Sequence, residues 1–159
     1  MIETPKRILW PTDFSSLSLH GARYARWFYR TLNAELHVVH IIPPPLTPDM
    51  TVTLPAEVPV TYSDDELVET CRKRISALVA EQFPNVPGVS FDAFFGNPWS
   101  AICKYAEQTD IELIVVATHG RTGLQHVLIG STAERIVQHA PCPVLVVKNP
   151  EKDFLTDSD

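Results

Sequence analysis

Several features that would assign a function class directly are missing from this chain of 159 residues. Its three cysteines, Cys71, Cys103 and Cys142, stand far apart and form no Cys-x-x-Cys pair, so neither a disulfide framework nor a zinc knuckle is signalled. Each is expected to serve as a small buried apolar residue. His20, His126 and His139 have no partner at metal-ligand spacing, which leaves no candidate zinc site. No apolar window approaches the roughly 18 to 20 residues of a membrane span. The opening MIETPKRILW carries no apolar signal region, so a cytoplasmic protein is expected. Positive charge is also scarce. Thirteen Lys and Arg face nineteen Asp and Glu, for a formal charge of -6 and a pI near 5.4. That balance opposes general nucleic-acid binding and favours no anionic membrane surface. Finally, there is no GxxxxGK[ST], hence no lysine placed for a β- or γ-phosphate, and no GxGxxG after the first apolar run.

What is present is a regular alternation of short apolar runs and helical patterns, in a chain long enough to bury one full core. Residues 6–10 (KRILW) read as a buried strand stopped by Pro11-Thr12-Asp13. Ser15 or Ser16 then caps a helix whose face is Leu17, Gly21, Ala25, Phe28 and Leu32. After Asn33-Ala34, the β-branched run ELHVVHII predicts a second strand, and β-α-β implies parallel strands with a right-handed crossover. On that strand His37 and His40 alternate with apolar neighbours and read as core or rim residues. Trp10, Trp27 and Trp99 read as packing residues.

Residues 43–62 hold six prolines and no periodicity, the composition of an exposed loop rather than a domain. Ser63-x-x-Glu66 is a capping box ahead of Leu67, Cys71, Ile75, Leu78 and Val79 on one helical face. Residues 89–95 predict a third strand, less apolar and so near a sheet edge. Asn97-Pro98 starts a third helix running to about Thr109. Residues 113–116 and 144–147 are the fourth and fifth strands, with a helix between them, and the acidic tail 149–159 is expected to fray. The order β-α-β-α-β-α-β-α-β predicts a single α/β domain over residues 1–148, an open five-stranded parallel sheet with helices on both faces.

In such sheets ligands sit beyond the carboxyl ends of the strands, where the strand order reverses, which selects Pro11-Thr12-Asp13 and the segment after Val116. Three of the six glycines, Gly120, Gly123 and Gly130, fall within eleven residues there. Gly130-Ser131-Thr132 opens the fourth helix, and Ser131-x-x-Glu134 reads as a second capping box. A helix N-terminus with nearby glycines offers unpaired N–H groups and partial positive charge to a phosphate; alternatively it is only a turn and a cap. Asp13 either accepts from a ribose or base amine, or caps the following helix.

The segments KRILWPTDFS, Leu36-His37-Val38-Val39-His40 and VATHGRTGLQHVLIGSTAERIVQHAPCPVLVV resemble the universal stress protein family over residues 6–148. The resemblance implies a Rossmann-like fold of the adenine nucleotide alpha hydrolase type, with strand order 3-2-1-4-5. It further implies a homodimer through the last strand, residues 143–148 (PVLVVK). Members of one branch bind ATP, sometimes AMP, through Gly-x-x-Gly, nine residues, then Gly-Ser or Gly-Thr; another branch binds none. Gly120 and Gly130-Ser131 reproduce the second part of that motif, whereas Ala117 replaces its first glycine. An alanine there adds a methyl near the ligand path and disfavours positive φ by roughly 1 kcal/mol. Carried over by position, the adenosine-facing residues are Pro11, Thr12, Asp13, Ile41 and Val116, with Ala117 beside them. The phosphate-facing ones are His119, Gly120, Arg121, Gly130, Ser131 and Thr132. The function implied is a nucleotide-binding regulatory or stress-response dimer holding ATP or AMP, with or without Mg. A slow ATPase and a nucleotide-free dimerisation module are the alternatives.

Overall fold

Parallel strands need a crossover after every strand, and this chain supplies one each time. In the computed structural model, which describes residues 3–44, 63–118, 129–148 and 155, the strands are β1 (Arg7–Pro11), β2 (Glu35–Ile42), β3 (Val89–Phe95), β4 (Leu113–Ala117) and β5 (Val144–Val147). The helices are α1 (Ser16–Leu32), α2 (Asp64–Gln82), α3 (Pro98–Gln108) and α4 (Ser131–His139). All strand pairs are parallel and their order is β3-β2-β1-β4-β5, the expected architecture. β1 ends one residue later than expected, because Pro11 still pairs with Val39.

Strand alternation sorts the core into two layers. Ile8 and Trp10, Leu36 and Val38, Val115 and Val147 pack with Ala22 and Ala25 of α1 and Ile75 of α2. Leu9, Val39 and Ile41, Ile114 and Val116 pack with Ile102 and Ala106 of α3 and Ala133 and Ile136 of α4. Trp10 is fully buried on the first face, and its indole N–H donates to the Ser18 carbonyl at 3.2 Å. Trp27 and Trp99 are only half-buried, against the first and second core respectively. β3 lies at an edge as its composition implied, with Phe91 41% exposed.

Local signals account for most element ends. Ser15 caps α1 by accepting from Ser18 N at 3.1 Å, and Asn33 ends that helix in the left-handed conformation at φ 51°. The Ser63–Glu66 capping box is present in both halves, and these bonds hold the Glu66 carboxyl below its ordinary range. Two expectations need correction. The second capping box does not form: Gly130 is the N-cap of α4, Ser131 is already helical, and no side chain caps the end. The tail is also not wholly unanchored, since Leu155 is buried in the first core and its carbonyl accepts from Arg23 Nη2 at 3.3 Å.

The thiols are half-buried rather than fully buried. Burial first, then Cys103 and Glu112 nearby, pushes Cys142 up to about 11, and burial raises Cys103 as well. Both stay protonated near neutral pH, which suits packing residues.

His37 links β2 to α3 through Nδ1 and the Tyr105 hydroxyl, 2.9 Å apart. Burial, aided by the Arg7 charge and opposed by Glu35, lowers the His37 pKa below its ordinary 6.5. The folded state therefore favours the neutral ring. Its contribution is fully present above the unfolded value and is lost as pH falls below about 6.5. Urea midpoints measured at about pH 7.5 and about pH 5.5 are expected to differ less in His37→Gln than in the parent chain. An equal difference in both would remove His37 from the pH dependence.

Candidate functional site

The strand order reverses at β1, so the chain leaves its two neighbours toward opposite faces and a crevice opens beyond the carboxyl ends of β1 and β4. A cavity of about 310 Å³ lies there. This is at the small end of ligand pockets, which run from about 300 to 1,000 Å³. Nine of the twelve expected residues line it: Pro11, Thr12 and Asp13 from β1 and its exit, Ile41 from β2, Val116 and Ala117 from β4, and Gly130, Ser131 and Thr132 at the start of α4. The other three, His119, Gly120 and Arg121, lie outside the described residues. Both ends of the segment that carries them are tied: Thr118 N donates to Val147 O at 2.9 Å, and Gly130 N donates to Thr118 O.

The polar groups divide sharply between those used internally and those left over. Every polar group of Thr12 is engaged. Its N–H donates to Val39 O at 2.9 Å, and its carbonyl is 2.8 Å from His40 Nδ1. Its hydroxyl lies 2.6 Å from Ser18 Oγ and accepts from Phe14 N at 3.1 Å. Thr12 thus shapes the crevice rather than offering groups to a ligand. Asp13 differs. Oδ1 accepts from Ser15 N at 2.9 Å, while Oδ2 has no partner among the described residues. Asp13 does not cap α1 in the ordinary sense; Ser15 does, and Asp13 orders the turn before it.

Another part of the wall is a helix end. With no side-chain cap on α4, the first-turn N–H groups of Ser131, Thr132 and Ala133 have no intrahelical acceptor, and the first internal bond is Glu134 N to Gly130 O at 2.9 Å. α3 also begins at the cavity, with Pro98 in its first turn. Two helix N-termini therefore face one space, each with the partial positive charge of its dipole. Among the described lining residues Asp13 is the one carboxylate and no Lys or Arg appears. Ile102, Val116, Ala133 and Ile136 make the floor apolar. Such a crevice suits a flat ring with hydrogen-bond donors at one end and an anion at the other.

Ala117 needs no glycine. It is the last residue of β4, paired with Val147, and it is not among the positive-φ residues, which among the described residues are Phe14, Asn33, Asn85, Asp110 and Gly88. By strand alternation its methyl shares the α1 side of the sheet with Val115, while Val116 faces α3 and α4. Phe14, directly after Asp13, is left-handed instead, at φ 62°, a conformation that costs roughly 1–2 kcal/mol for a residue with a side chain.

Sequence reasoning did not assign Ser18, His40, Pro43, Pro98, Ile102, Thr118, Ala133 and Ile136 to the crevice. Ile102 carries an ordinary helical-core signal, and nothing in its spacing distinguishes a cavity floor from a core. Ser18 stands at helical spacing from Gly21 and Ala25, but its burial shows only in the structure.

Residues 4–148 match the sequence profile of the Universal stress protein family. The chain belongs to that family. It is 35% identical over 152 residues to Universal stress protein MJ0531 of Methanocaldococcus jannaschii, covering 93% of this chain and 85% of that one. With Universal stress protein MJ0577 of the same organism it shares 28% identity, over 90% and 94% of the two chains. Among solved structures, universal stress protein UspA from Lactobacillus plantarum is similar with a TM-score of 0.69 at 27% identity, over 89% of this chain and 97% of that one. A universal stress protein solved in complex with cAMP has the same fold, with a TM-score of 0.65 at 20% identity over 91% and 98%.

Within this family member the Ala117 geometry yields a direct test. Ala117→Gly is expected to lower stability by roughly 0.5–1 kcal/mol, the cost of glycine in a strand, read as a lower urea midpoint. A rise in stability would mean that the position carries backbone strain.

Proposed function

We propose that the crevice binds an adenine nucleotide, ATP or AMP, and that the chain acts as a dimeric, nucleotide-responsive regulatory or stress-response factor of the cytoplasm. The observation that carries this reading is that one cavity is lined both by Asp13, whose Oδ2 has no partner among the described residues, and by the N-terminus of α4, which no side chain caps. Asp13 accepts from the exocyclic amine or a ribose hydroxyl, the apolar floor takes the base, and the amides of Ser131 and Thr132 take phosphate oxygens. His119, Gly120 and Arg121 complete the phosphate end in this reading. The cAMP complex of a protein with this fold is in keeping with it.

Magnesium, if it accompanies ATP, would be held mainly by the phosphates, with the Ser131 or Thr132 hydroxyl as the protein oxygen at hand. No group of three His, Cys, Asp or Glu suited to a metal occurs among the described residues. The extended backbone at Ala117 removes the conformational reason for assigning the chain to the nucleotide-free branch. Dimerisation through residues 143–148 is supported by the position of β5 at the edge of the described sheet, paired there with β4 alone, with Val144, Leu145 and Val146 half-buried. Slow ATP hydrolysis remains the alternative, with Asp13 as its only carboxylate on the described walls.

Calorimetric titration of AMP, ADP and ATP, with and without magnesium, tests the proposal. Asp13→Asn keeps an acceptor for Ser15 N but loses the charge and the second carboxylate oxygen. It is expected to weaken binding at least about tenfold, since a hydrogen bond to a charged group is worth about 1.5–3 kcal/mol. Absence of binding by all three nucleotides up to millimolar concentration would sink the reading.

A further inference from the structure

The left-handed Phe14 follows Asp13 directly, so whatever holds Phe14 also sets where the Asp13 carboxylate stands. Two side chains from other elements meet its ring. The His40 ring lies 4.5 Å away, centroid to centroid, and the Arg74 guanidinium carbon of α2 lies 4.0 Å from the ring centroid. His40 does more than pack. It is buried at 6% exposure, and its Nδ1 lies 2.8 Å from the Thr12 carbonyl, an acceptor-only group, so Nδ1 carries the hydrogen and donates. One ring thus grips the turn at Thr12 and at Phe14, on both sides of Asp13. The amides of Phe14 and Ser15 close the turn from within, by donating to Thr12 Oγ1 and Asp13 Oδ1.

We propose that His40 and Arg74 are positioning residues of the crevice. They hold Phe14 in its left-handed conformation and so fix the Thr12–Asp13 turn with the second Asp13 oxygen turned toward ligand. The turn then depends on α2, which contributes no residue to the cavity wall among those described, through the Arg74–Phe14 cation–π contact. The geometric part of this inference stands without a ligand; its effect on affinity rests on the nucleotide reading above.

The test compares amide hydrogen exchange in the free parent chain, His40→Leu, His40→Asn and Arg74→Ala, alongside AMP titration of each. Phe14 and Ser15 amides are expected to exchange at least about fivefold faster in His40→Leu and in Arg74→Ala, with β3 amides unchanged. His40→Asn places an amide donor where Nδ1 stood but supplies no ring for Phe14, and is expected to recover part of the protection. AMP affinity is expected to fall about tenfold in His40→Leu, a shift of about 1.4 kcal/mol, and to return toward the parent value in His40→Asn. Unchanged Phe14 and Ser15 exchange in both His40→Leu and Arg74→Ala would overturn the proposal, as would a uniform rise across the whole sheet. Should His40→Leu not fold, Arg74→Ala decides alone, because Arg74 is exposed. A parent chain that fails to bind AMP refutes the nucleotide reading, and the exchange arm still decides the positioning role.

Discussion

Everything at the site depends on β1 being paired in parallel on both sides, to β2 and to β4. The chain reaches β2 through α1 on one face and reaches β4 only after α2, β3 and α3. The crossovers around β1 therefore diverge, which is the arrangement that opens a crevice at the ends of β1 and β4. Hydrophobic burial on both faces holds this arrangement. Ile8 and Trp10 point to one layer and Leu9 to the other, all three fully buried. A register shift of one residue in β1 would exchange those faces and would also turn the exit at Pro11-Thr12-Asp13 away from the crevice.

The fold was legible in the sequence because its signals are local and redundant. ELHVVHII and LIVV are β-branched runs, Ser15 and Ser63 are caps, Asn97-Pro98 is a helix start, and the alternation of elements leaves few topologies. The crevice was partly legible for the same reason, since switch-point geometry follows from element order. The motif resemblance then supplied residue positions. What remained hidden is tertiary. Nothing in one dimension shows that Thr12 spends all its polar groups inside the protein, or that the adjacent Asp13 keeps one oxygen without a partner among the described residues. Ser131-x-x-Glu134 misled because a capping pattern shifted by one residue is still a pattern. The chain enters α4 at Gly130, and the absence of a side-chain cap leaves the amides open.

Ala117 and Phe14 exchange roles once the backbone is known. The alanine that departs from the glycine motif sits in ordinary extended strand and pairs with Val147. The conformational cost lies instead at Phe14, a residue no glycine rule flags, and contacts from His40 and Arg74 offset it. Strain of this kind persists only where surrounding structure over-determines it, which is why the residues flanking Asp13 carry so many bonds.

The central claim is that the Asp13 turn and the open end of α4 bind one nucleotide between them. A crystal structure of the chain grown with AMP tests this most directly. The base is expected on the floor made by Ile102, Val116 and Ile136, with an Asp13 oxygen accepting from the nucleoside and phosphate oxygens at the amides of Ser131 and Thr132. AMP bound away from this crevice, or bound in it with the phosphate beside Asp13, would contradict nucleotide binding between the Asp13 turn and α4.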